Sequence, residues 1–295
     1  MRHRPDPTLV ALADGRRVAL DDVGDHDGSP VLYLHGAPDS RLSRHPDDGL
    51  TAAAGVRLLA VDRPGCGRSD ADPGRTFATV TDDLVAVLDA LEIERAAAIG
   101  WSAGAPFAAA LAAANPDRID ALGLVAPAVP IDAYDDPAVH DAAGPGRRLF
   151  AEMAAEIAPD EVAAEVAPYA LPDPADPDLV AAQIEDEGVV DDVPGGLGHL
   201  VAATVECVAL GRVGLHDEVT AQASRLDFDL ASVAAPVTIW CGGRDAVAPP
   251  AFAAWWAGHL PGSRLVEVAG AGHHLAYARW TEILRTVTSG VRPQM

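Results

Sequence analysis

Gly100-Trp101-Ser102-Ala103-Gly104 carries the strongest chemical signal in the chain. An apolar run from Arg95 to Gly100 leads into it, and an Ala-rich helical stretch runs from it to Asn115. A serine on such a strand-to-helix turn has a strained backbone, and its hydroxyl is pushed out of the sheet. Glycines two residues to either side remove clashes with the neighbouring strand and helix. The helix N-terminus beneath offers backbone N–H groups to developing negative charge. These are the requirements of a nucleophilic hydroxyl.

Such a serine needs a base, and an acid that orients the base. Both are available in the last third of the chain. Val237 to Cys241 reads as a buried strand, and Gly242-Gly243-Arg244-Asp245 places a carboxylate at its C-terminal edge. A helix from Pro250 to His259 and a short strand from Arg264 to Val268 follow. Gly270-Ala271-Gly272-His273-His274 then sets two imidazoles on a loop before the last helix. Gly272 lets the chain bend just before His273, which selects His273 as base, with His274 supporting the loop. Upstream, a strand from Pro30 to Leu34 opens into His35-Gly36-Ala37-Pro38. There a main-chain N–H can face the serine. The N–H groups of Ala37 and Ala103 are the expected oxyanion donors, each typically contributing about 3 kcal/mol to the transition state. His35 reads as a loop-bonding residue at the pocket rather than a base. Trp101 either lines the acyl pocket or packs beside the turn.

These residues must be held by a sheet. Strands are predicted at Thr8–Leu12, Arg17–Leu20, Val31–Leu34, Val56–Val61, Ala96–Ile99 and Ala121–Val125, besides the two downstream. A helix at Val80–Leu91 has apolar residues spaced to bury one face. Strands alternating with helices give a mostly parallel eight-stranded sheet flanked by helices. From residue 131 to 231 strand-like runs vanish, and Ala, Pro and acidic residues dominate. Helices are expected there at Arg147–Ile157, Glu161–Val166, Asp178–Glu187 and His199–Leu210, punctuated by prolines. This segment reads as an all-helical cap, inserted into a core made of residues 1–130 and 232–295. Its acidic residues read mostly as a solvated face.

In order along the chain come His35-Gly36-Ala37-Pro38, the run Asp62 to Ser69, Gly100 to Gly104, Gly243-Arg244-Asp245 and Gly272-His273. In that order the chain resembles the α/β-hydrolase superfamily of esterases, lipases and epoxide-hydrolase-like enzymes. The resemblance implies a Ser102, Asp245, His273 triad, an oxyanion hole at Ala37 and Ala103, and a cap after the sixth strand. It implies no particular substrate. Dehalogenases and epoxide hydrolases of the superfamily use an aspartate nucleophile, and the serine here argues against those two chemistries.

Composition sets further bounds. The 295 residues are 49% hydrophobic, enough for a sizeable core. The net charge is −23, and every Lys or Arg is arginine, which opposes nucleic-acid binding and anionic membranes. GC-rich coding explains this balance more simply than adaptation to salt does. No apolar run is long enough to span a membrane or to act as a signal peptide. Cys66, Cys207 and Cys241 read as free thiols of a reducing compartment, so a cytoplasmic location is expected. No metal or cofactor is expected.

The sequence therefore predicts a cofactor-independent serine hydrolase acting on a small, largely apolar, uncharged ester through an acyl-enzyme. Its partner would be a small-molecule substrate, with self-association left open. Aminopeptidase, carbon–carbon bond hydrolase, lactonase and perhydrolase activities are alternatives on the same triad. So is a non-catalytic ligand receptor on the same fold.

Overall fold

The computed structural model describes residues 6–188, 193–260 and 262–289. Eight strands form one sheet: β1 (Thr8–Ala11), β2 (Arg17–Gly24), β3 (Ser29–Leu34), β4 (Val56–Val61), β5 (Ala96–Trp101), β6 (Ile119–Val125), β7 (Val237–Gly242) and β8 (Arg264–Val268). Their spatial order is β1-β2-β4-β3-β5-β6-β7-β8. β1 and β2 pair antiparallel, and β2 is antiparallel to β4; the remaining pairings are parallel. β2 outruns its predicted end at Leu20 and pairs with β4 as far as Gly24. Asp21 and Asp22 interrupt the apolar pattern there. Both are satisfied by arginines: Asp21 by Arg41 and Arg44, and Asp22 by Arg57 at 2.7 Å.

Alternate strand residues face opposite sides, as a period of two requires. Leu32, Leu34, Leu59, Val61, Ala98 and Leu124 pack under helices α2 and α3, described next. Val31, Tyr33, Leu58, Ala60, Ala97 and Ile99 face the other way. The core helices are α1 (Asp48–Ala53), α2 (Phe77–Ala90) and α3 (Gly104–Ala114). α2 begins three residues before its predicted start, because Thr76 and Thr79 cap it reciprocally. α3 is buried along almost its whole length, and its alanines let it lie close to the sheet.

Between β6 and β7 the chain is helical: α4 (Pro137–Ala142), α5 (Pro145–Glu156), α6 (Pro159–Val166), α7 (Pro177–Glu187), α8 (Gly196–Cys207) and α9 (Val213–Ala223). α4 through α7 each open on a proline in the first turn, where its fixed φ helps and its missing N–H costs nothing. α4 and α9 were not predicted. α10 (Pro250–His259) and α11 (Leu275–Thr288) complete the chain, and α11 covers the face of Tyr33 and Ile99. No helix among the described residues is long and apolar enough to cross a membrane.

The insert is clamped to the core by charge. Glu218 on α9 is fully buried; it accepts from Arg63 at 2.6 and 2.8 Å and also pairs with Arg75. Glu206 on α8 pairs with Arg41 and Arg68. These two glutamates are exceptions to the mostly solvated acidic face, because the core places the buried Arg41, Arg63 and Arg75 opposite them. α9 also lies main chain to main chain on the loop after β4. A Cβ placed on Gly214 would stand 2.7 Å from the Cys66 nitrogen and nearer still to the Gly65 carbonyl. Gly214→Ala should therefore push α9 off the core and lower stability by about 1–3 kcal/mol. A urea melt unchanged from wild type would count against this packing.

Candidate active site

The parallel strands end together, and their C-terminal edge gathers the chemistry. Leu34 of β3 is level with Gly100 of β5, Trp101 with Val125 of β6, and Val125 with Trp240 of β7. The loops after β3, β5, β7 and β8 thus meet. Ser102 follows β5 at φ +51°, a left-handed conformation that costs a non-glycine residue about 1–3 kcal/mol and persists only when its surroundings hold it. Its N–H donates to the Val125 carbonyl, and its own carbonyl accepts from Ala105 and Ala128. The flanking glycines are needed for space. A Cβ on Gly100 would stand 2.6 Å from the Gly104 carbonyl oxygen, and one on Gly104 2.6 Å from the His35 oxygen.

Ser102 Oγ lies 3.0 Å from His273 Nε2, and His273 Nδ1 lies 2.9 Å from Asp245 Oδ2. Asp245 is fixed in turn. Its Oδ1 accepts from the N–H groups of Val247 and Ala248 at 2.9 and 2.8 Å. The Arg244 N–H donates to the Ala271 carbonyl at 2.9 Å, tying the aspartate turn to the histidine loop. All three side chains are buried. A carboxylate on Nδ1 places the ring proton there, which leaves Nε2 to accept from the serine hydroxyl. Gly36 lies against this pair, since a Cβ on it would come within 3.3 Å of Ser102 Cβ. Ala37 lines the same cavity and Ala103 follows the serine directly. Among the described residues neither of their N–H groups donates to another main-chain group.

The cavity over Ser102 is roofed by Gln183, Ile184 and Glu187 of α7 and by Leu200 and Thr204 of α8. Its volume is about 20 Å³, room for about one water. Trp101 lines this cavity and also braces the histidine loop, its Nε1 donating to the His273 carbonyl at 3.3 Å. His35, expected at the pocket, does not line it. The ring is sealed beneath the loop: the Arg63 N–H donates to Nε2 at 3.2 Å, and Nδ1 therefore donates to the Gly36 carbonyl at 2.7 Å. Burial, then the Arg63 charge, holds it well below the usual histidine range and neutral. His274 points elsewhere than Ser102, its Nε2 meeting the Ile184 carbonyl at 3.3 Å. Burial, then His273, pushes it down to about 4.

The expected apolar pocket is only half apolar. Trp101, Ile184 and Leu200 line it together with Asp39 and Glu187. Burial, then the neighbouring Glu187 charge, pushes Asp39 well above the carboxylate range, and burial likewise raises Glu187. Sequence reasoning missed both. Asp39 stands two residues after Ala37 and could have been found from that position. Glu187 carried no signal among the acidic residues of the insert.

A sequence model of the alpha/beta hydrolase fold matches residues 29–169, from β3 through the first helices of the insert. An esterase from Exiguobacterium antarcticum has the same fold, with a TM-score of 0.69 and 20% identity over 97% of this chain and 99% of its own. An epoxide hydrolase from Caballeronia sordidicola is 39% identical over 106 residues, 35% of this chain and 32% of that protein. A non-heme chloroperoxidase from Streptomyces lividans is 33% identical over 129 residues, 43% of this chain and 47% of that protein. The chain thus spans less than half the length of the curated relatives it matches. The chain has the α/β-hydrolase fold.

Proposed function

We propose that the chain is a serine hydrolase that cleaves small ester-like substrates, with residues 131–231 acting as a cap over its site. The observation that carries this reading is the unbroken Ser102–His273–Asp245 hydrogen-bond chain on a strained, glycine-flanked turn. His273 Nε2 takes the hydroxyl proton as Ser102 Oγ attacks the carbonyl carbon. Asp245 holds the ring and stabilises the imidazolium that forms. The N–H groups of Ala37 and Ala103 hold the oxyanion. His273 then gives its proton to the departing alkoxide, leaving an acyl-serine. Water, deprotonated by His273, attacks the acyl carbon, and the serine leaves with the proton. Every step balances with substrate and water alone. Ser102, where an aspartate would serve an epoxide, selects a carbonyl substrate.

A fluorophosphonate probe tests the reading. It should attach to Ser102 in the native protein and fail to attach in Ser102→Ala. Native protein that stays unlabelled, with no ester turned over, would instead favour a ligand receptor on this fold.

A further inference from the structure

Glu187 and Asp39 sit in the wall of the Ser102 cavity without a cation. Asp39 is 8% exposed, and among the described residues its side chain bonds only Thr204, whose Oγ1 donates to Oδ1 at 3.2 Å. Glu187 Oε1 accepts from Gln183 Nε2 at 3.2 Å. Among the described residues neither carboxylate has an ion-pair partner. The nearby arginines are committed elsewhere, Arg63 to Glu218 and Arg147 to Gln222. A buried carboxylate without a counter-charge is costly.

A second group on the same wall is also unsatisfied. His274 is 4% exposed and lines the cavity. Its Nε2 faces a carbonyl and so carries the ring proton, and its Nδ1 is a buried acceptor with no donor. The wall therefore offers three acceptors on Asp39, Glu187 and His274. No arginine lines it, and the side-chain donors that do, Gln183, Thr204, Trp101 and Ser102, are neutral and already engaged. A primary ammonium group has three N–H donors and one positive charge, and no lysine exists in the chain to supply one.

We infer that this cavity selects esters bearing a protonated amine, which Asp39, Glu187 and His274 bind while Ser102 attacks the carbonyl. This rests on the serine-hydrolase reading for its chemistry but not for its binding. The amine could lie in the acyl or the alcohol half of the ester, and the test separates the two.

β-Alanine methyl ester is compared with its neutral isostere methyl butyrate, and 3-aminopropyl butyrate with butyl butyrate. In at least one pair kcat/KM should favour the cationic ester by about tenfold or more, the worth of a charge-assisted bond. Glu187→Gln and Asp39→Asn should each erase most of that ratio, through KM rather than kcat. Calorimetry with Ser102→Ala gives a readout without turnover: the favoured cationic ester should bind and its isostere should not. Equal preference within both pairs by an active enzyme would overturn the inference. An inactive native protein whose Ser102→Ala form still binds the cationic ester would support this inference and sink only the hydrolase reading. Binding of neither member would overturn it outright.

Discussion

Ser102→Ala is expected to fold as wild type does and to turn over an activated ester about 10³-fold more slowly or worse, because only the oxyanion donors and binding remain. His273→Ala should match it, since Nε2 is the group within 3.0 Å of the hydroxyl. The double variant should cost little more than either alone, because the two act as one unit. Fold integrity should survive in each. Ser102 holds its turn through its main chain, and alanine keeps those bonds to Val125, Ala105 and Ala128. His274→Ala separates the neighbouring imidazoles. Its loss should appear in KM, with fluorophosphonate labelling of Ser102 persisting. A folded, fully active His273→Ala protein would remove His273 as the base, and additive losses in the double variant would break the unit.

The sheet and the side-chain arrangement at its edge were legible because they use short-range signals. Each parallel strand is an apolar run closed by glycine or proline, and the loops at Ser102, Asp245 and His273 carry turn residues at fixed offsets. Glycine's role was readable for the same reason: only close approach explains Gly100 and Gly104 on either side of one serine. The insert was legible as helical but poorly bounded. α9 carries Asp217, Glu218 and Val219 in a row, and both acids are buried. The hydrophobic pattern that marks a helix face is therefore missing. Its true anchor, an arginine pair from residues 63 and 75, lies more than a hundred residues upstream, where no local pattern reaches. The same holds for the pocket. Whether an acidic residue faces solvent or a serine depends on which helix covers the cavity, and composition is silent on that. His35 makes the loop bonds expected of it but stays out of the cavity. It stands next to the oxyanion loop in sequence, but the ring turns inward because the Arg63 N–H offers it a bond.

Glu218→Gln is expected to lower unfolding free energy by about 3–5 kcal/mol, the cost of breaking a buried ionic cluster from one side. Arg63 and Arg75 would remain buried beside a neutral amide that can accept through one oxygen only, where the carboxylate now takes three of their bonds. Burial alone would raise the Glu218 pKa, but the two arginines overrule it and hold the carboxyl at about 2, against an ordinary value of 4.5. A group depressed in the folded state stabilises fully above its unfolded pKa and loses that contribution as pH falls through the folded one. For Glu218 the window runs from about pH 4.5 down to about pH 2. Glutamine carries no such dependence. The stability gap between wild type and variant, measured by urea melts, should therefore be widest above pH 4.5 and narrow below it. A gap that stays constant across that window would show that Glu218 is not held ionised by the arginines. Activity should fall with stability, because Arg63 also donates to the carbonyls of His35 and Gly36. The same guanidinium that anchors the insert through Glu218 holds the loop that carries Ala37, the proposed oxyanion donor. Loosening the clamp from the insert's side should thus reach the chemistry through one arginine.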